Sequence, residues 1–270
     1  MRLGFPPSPT SFHRFLLTGL AIAAGSRSLL APRGTTHLVV LVQKVAWRVY
    51  SRAAGAQTDD PLITSAREGD QNKVLRLLDQ GAKLDTSDTC GNTTLHIACK
   101  YGHASLVKLL LDRGADAHAR NMDGETPLHL AAQMGDFETA TMLVEKGADV
   151  KAVSDFGDTP LHFASEMRNW EMAQIVGGLR AGSPYEWKKD NLKVAELLIA
   201  RGADINAQNC LGRTPLHRTT PLNNLPVAKL LVDHGARLDL KNNEGQTPLA
   251  AAKRNRARAI VEFLKSLEKK

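Results

Sequence analysis

Gly124-Glu-Thr-Pro-Leu-His129, followed at once by Leu130-Ala-Ala132, is the stretch from which the rest of the chain can be read. A threonine ahead of a proline marks a helix start. The hydroxyl accepts a backbone N–H of the first turn, and proline is tolerated there because the N–H it lacks would have no partner. Leu128 then points inward, and Ala131 and Ala132 keep that face small enough for a neighbouring helix to approach closely. The glycine ahead of the phrase fits the tip of a tight turn.

The same words recur as Gly91-Asn-Thr-Thr-Leu-His96, Gly157-Asp-Thr-Pro-Leu-His162, Gly212-Arg-Thr-Pro-Leu-His217 and Gly245-Gln-Thr-Pro-Leu-Ala250, the five glycines lying 33, 33, 55 and 33 residues apart. After each phrase comes a second apolar-periodic segment, such as Leu106, Val107, Leu109, Leu110 and Leu111, whose spacing predicts another helix. Its end is marked by Gly114, Gly147, Gly202 or Gly235, placed as left-handed helix stops. An earlier unit, Leu62 to Asp85, lacks the opening phrase but keeps the Gly81-Ala82 ending. One such helix pair cannot bury its own apolar face, whereas stacked pairs make a continuous core.

The sequence from about residue 59 to 267 resembles the ankyrin-repeat family. The resemblance implies an all-α solenoid of about six helix-turn-helix units with hairpin-like turns, preceded by a non-repeat N-terminal segment. Two departures stand out. The 55-residue spacing exceeds the others by 22, and Asn169–Val176 reads like a second copy of Asn191–Leu198. The extra residues at about 169–190 hold Tyr185 and Trp187. They are either an inserted binding loop or a splice or gene-model addition tolerated on the surface, since long surface loops add little entropic cost. In the fifth unit Pro221 is expected to end the first helix early, and Pro226 to start the second. Thr219 and Thr220 replace the usual alanines there, so this unit is expected to be the least well packed.

Charge divides the chain into residues 1–57 and 58–270. The first 57 residues hold seven of the 35 Lys and Arg and no Asp or Glu, leaving 28 positive against 28 negative groups in the remainder. Nothing in that balance asks for nucleic acid, so none is expected as a partner. The basic segment, with its apolar run Phe15–Ala24, reads in three ways: a mitochondrial transit peptide, a secretory signal, or neither. Location is cytoplasmic or nuclear under the last reading, mitochondrial or secreted under the others. No run approaches the ~20 apolar residues of a membrane-spanning helix.

Catalytic and metal chemistry find no foothold. There is no phosphate loop, no Gly-x-Ser-x-Gly and no His-Glu-x-x-His. Cys90, Cys99 and Cys210 show no metal-ligand spacing, and Cys99 falls on a packed helix face. His96, His129, His162 and His217 recur once per unit, so stacking sets them roughly 10 Å apart. That is too far to share a metal bonded at ~2.0–2.1 Å. The resemblance implies instead that each histidine hydrogen-bonds within its turn and to the next unit. No cofactor is expected.

What remains is a surface. The resemblance implies a concave groove, lined by residues flanking each turn-tip glycine and by the ends of the first helices. Carried over unit by unit, the candidate partner-binding residues are Tyr101, Met122, Asp123, Glu125, Met134, Phe156, Asp158, Met167, Leu211 and Arg213. The aromatics, methionines and leucine would anchor a partner; Asp123, Glu125 and Asp158, with Asp155 and Glu166, would form an acidic rim favouring a basic stripe on it. Asn206 lies in a context like that of asparagine hydroxylation in the family, and also suits a turn-stabilising role. The expected function is a non-catalytic scaffold or adaptor, monomeric by itself, that binds a partner protein. The alternative is a regulatory or targeting subunit of an enzyme supplied by another chain.

Overall fold

The computed structural model describes residues 60–166 and 190–268. The readings of residues 1–57, of the insertion up to Lys189 and of the candidate anchor Met167 lie outside them. Among the described residues there are twelve helices and no named strand, only a single antiparallel bridge between Ser87 and Thr93.

Six units follow one another, each a pair of antiparallel helices. They are α1 (Pro61–Glu68) with α2 (Gln71–Asp79), α3 (Thr94–Tyr101) with α4 (Ala104–Asp112), and α5 (Pro127–Met134) with α6 (Phe137–Glu145). Then come α7 (Pro160–Ser165) with α8 (Asn191–Ala200), α9 (Pro215–Arg218) with α10 (Leu225–Asp233), and α11 (Pro248–Arg254) with α12 (Arg258–Leu267). The first helices begin as the phrase dictates: Thr93, Thr126, Thr159, Thr214 and Thr247 are the N-caps, with Pro127, Pro160, Pro215 and Pro248 next. The second helices stop in the way their glycines allow. After α6, Gly147 and Ala148 donate to the carbonyls of Val144 and Leu143 while Gly147 takes a φ of +90°.

Thr94 stands where four units have proline, and its buried hydroxyl has no hydrogen-bond partner. Thr94→Pro is therefore expected to stabilise the domain by about 1–2 kcal/mol, through removal of an unpaired buried hydroxyl and of freedom in the unfolded chain. Thermal unfolding of the variant checks this; an unchanged or lower midpoint would contradict it.

The core is one cluster running from Leu62 to Leu264. Its framework is a leucine from each interior helix: Leu95, Leu128, Leu161 and Leu216 on the first helices, Leu110, Leu143, Leu198 and Leu231 on the second, all essentially without exposure. Burying each contributes about 1.5–3 kcal/mol. Alanines such as Ala98, Ala131, Ala132 and Ala164 fill the contacts between successive first helices.

Of the two segments competing for the fourth unit's second helix, Asn191–Ala200 occupies the place. Asp190 caps it by accepting the Lys193 N–H at 3.1 Å, and the Asp190 N–H reaches back to the Gly135 carbonyl at 3.0 Å. Asn191 donates to the Ala164 carbonyl, tying the helix to α7. In the fifth unit, α9 is cut to four residues ahead of Pro221, and Pro226 sits in the first turn of α10. Thr219 and Thr220 are as buried as the alanines they replace, their hydroxyls donating to the Leu216 and His217 carbonyls at 2.7 and 2.9 Å.

Candidate functional site: the turn tips and the groove beside them

Each tip is built around the residue three before its glycine. Asp88, Asn121, Ser154, Asn209 and Asn242 each turn a side-chain oxygen onto two backbone N–H groups, those flanking the glycine on either side. The same five residues close the hairpin, donating to the carbonyl of the residue after the glycine and accepting the glycine's own N–H. A small side chain with an acceptor oxygen is needed at each of these places. That is a second 33-residue signal in the sequence, absent from the motif-based reading above.

The tips are then joined. Met122 N–H donates to the Cys90 carbonyl, Asp155 to Asp123, Cys210 to Phe156 and Asn243 to Leu211, at 2.8–3.0 Å. These rungs keep one register from the first tip to the fifth, including across the 55-residue spacing. The five tip glycines thus share a single ridge, which fixes the spacing of everything displayed beside them.

Beneath the ridge lie the histidines. The Nε2 of His96, His129, His162 and His217 lies 3.0 Å from the carbonyl of Glu125, Asp158, Arg213 and Gln246, each in the next unit. Nδ1 accepts the backbone N–H of the capping threonine. Nε2 must carry the proton and Nδ1 the lone pair, so these rings hold their place as neutral imidazoles. Burial pushes all four below the ordinary histidine value, His129 to about 4. His129 also meets Phe163 edge-on at 5.5 Å. These contacts make the row a set of clamps between units. Burial also pushes the Cys99 thiol well up, which removes it as a nucleophile. Among the described residues no group of three His, Cys, Asp or Glu is placed to hold a metal.

The candidate anchors divide by exposure. Met122 is 43% and Leu211 48% exposed, while Met134 and Phe156 are half-buried. Tyr101 is half-buried too, stacked on His103 and packed against the core. The free acidic rim is corrected. Asp123 and Asp158 are only 6% and 8% exposed, and Asp158 accepts the Asn209 amide at 2.8 Å from the next unit. Asp155 pairs with Arg120 at 3.3 Å, Glu166 with Arg218 at 2.6 Å, and Glu125 accepts from Asn121. Asp155, Asp158 and Glu166 are engaged in joining units, which a count of charges along the sequence does not reveal. Arg213 lies 3.7 Å from Glu244, in the same kind of link. Asn206 bridges units as well, accepting the Arg237 N–H and donating to the Gly235 carbonyl.

Comparison with known proteins agrees with this geometry. A family description, ankyrin repeats in sets of three copies, matches residues 39–121, 62–154, 114–177 and 186–270. The chain belongs to the ankyrin-repeat family. Ankyrin repeats are generally protein–protein interaction modules and are typically non-catalytic. Over 51 residues the chain is 41% identical to the eye-specific diacylglycerol kinase of Drosophila melanogaster. That stretch is 19% of this chain and 4% of the kinase, so the likeness covers a small part of either protein. Among the described residues no helix is long and apolar enough to cross a membrane.

Proposed function

We propose that this ankyrin-repeat chain is a non-catalytic scaffold or adaptor that binds a partner protein along the groove beside its turn tips. The observation that carries this is the pair of exposed apolar side chains, Met122 and Leu211, on a ridge whose backbone is locked by four rungs. Large apolar groups held on a rigid frame lose little freedom on binding, which suits them as anchors. With Asp123 and Asp158 buried and Asp155 and Glu166 paired with arginines, the partner is read by shape and apolar contact more than by a basic stripe.

The double variant Met122→Asp with Leu211→Asp tests the reading. Both side chains are exposed, so helical CD and the unfolding midpoint are expected to stay unchanged. Affinity for the partner, identified by purification on the unmodified chain, is expected to fall about 30-fold or more, as loss of hot-spot anchors does. Undiminished binding by the folded variant would sink the groove assignment. A second reading, that the domain regulates or targets an enzyme supplied by another chain, draws support from the likeness to a protein named as a kinase. Co-purification of a catalytic activity that salt strips away would distinguish it.

A further inference from the structure

The outer face of the last unit differs from the corresponding face of every interior unit. Lys253 stands at the place held by Cys99, Ala132 and Thr220, all buried between first helices. Lys265 stands where Leu111 and Val144 face the following unit. Arg256 takes the place of Gly102, Gly135 and Asn223, with the same left-handed backbone, here at a φ of +57°. An end cap needs polar groups to stop further stacking. It does not need them to be of one sign.

Here they are almost all cations. Lys253, Arg256, Arg258 and Lys265 line a shallow cavity of about 400 Å³ with Val261 as its apolar floor and Glu262 at its side. None of the four makes an ion pair with a described residue, whereas the neighbouring Arg254 is paired with Glu244. Arg258, Val261, Glu262 and Lys265 fall on one stripe of α12. In interior units the places of Val261 and Lys265 are buried or half-buried, as at Val107 and Leu111, Ala140 and Val144, and Ala228 and Val232, where successive second helices pack on one another, as α6 with α8 and α10 with α12.

We propose that this end face docks an acidic, amphipathic helix of a partner protein, seated where a seventh unit's second helix would lie. Its carboxylates meet the four cations and one apolar side chain meets Val261. A phosphate backbone offers nothing apolar to Val261, whereas an amphipathic helix brings both carboxylates and an apolar side chain, so the mixed lining favours a helix. The face is separate from the tip groove, and it stands or falls independently of the function proposed above.

The probe is a labelled, stapled helical peptide carrying glutamates and one leucine on a single face, with a same-composition peptide whose face is scrambled. Titrated into the full chain at low salt, the first is expected to bind and the second to bind much more weakly. Lys253→Glu with Lys265→Glu is expected to weaken binding about tenfold or more, since two exposed attractions become repulsions. Helical CD should be retained because both side chains are exposed. Met122→Asp with Leu211→Asp is expected to leave this binding untouched. Equal binding of the two peptides, or insensitivity to the charge reversal, would overturn the proposal. So would a single-stranded oligonucleotide or phosphatidylserine vesicles binding this face more tightly than the peptide.

Discussion

Between pH 7 and pH 5 the solenoid is expected to lose about 2 kcal/mol of stability through His129 alone. The folded ring is held to about 4, against 6.5 in an unperturbed histidine, chiefly because burial disfavours its charged form. Between those values the unfolded chain takes up a proton that the folded chain refuses. The contribution is therefore fully present above pH 6.5 and is lost as pH falls toward 4. Protonating Nδ1 in place would also abolish its acceptor role toward the Thr126 N–H, found at 3.0 Å. His96, His162 and His217 are lowered by the same cause, so their effects share this sign. Urea unfolding followed by CD at several pH values measures the loss, and the ring resonances of His129 report its titration directly. A flat stability profile over this range, or a His129 ring titrating above pH 6, would contradict the assignment.

The histidines also show how much of the molecule was legible beforehand. Their period, the capping threonines, the prolines and the glycine stops are local requirements of backbone geometry, so they print themselves on the sequence and carry the fold. Exposure at the tips is a different kind of fact. Asp123 and Asp158 look like rim residues by position, yet Asp158 is buried because Asn209, 51 residues on, donates to it. Such a bond depends on which residue the adjoining unit happens to present, and no periodic rule supplies that. The side chains at 88, 121, 154, 209 and 242 lie between these cases. Asp, Asn and Ser share an acceptor oxygen at short reach but spell three different letters, so a search for repeated words passes over them. The insertion was legible as an excess of length, and only packing decided that Asn191–Ala200 fills the helix position.

The largest single-site effect is expected where a rung and a glycine coincide. At Gly124 the backbone has a φ of +70°, and an added Cβ would lie 2.8 Å from the Asp155 backbone nitrogen. The other close atoms, on the Arg120 and Asp155 side chains, belong to an exposed ion pair and can swing aside. The backbone nitrogen cannot, because its N–H makes the 2.9 Å rung to the Asp123 carbonyl that joins the third unit to the fourth. Gly124→Ala is thus expected to cost about 3–4 kcal/mol, the sum of left-handed strain and displacement of packed backbone. Gly147→Ala supplies the comparison: its φ of +90° is equally unfavourable, but nothing lies within 4 Å of the new Cβ. That variant is expected to lose only about 1–2 kcal/mol. Because stability in a stacked array is a sum over units and their junctions, weakening a central junction also uncouples the halves. For Gly124→Ala, urea unfolding is expected to broaden or split, with amide protection lost first at Asp155 and its neighbours. Equal losses in the two variants would mean that left-handed strain alone governs both sites, and that the rungs contribute little to holding the units together.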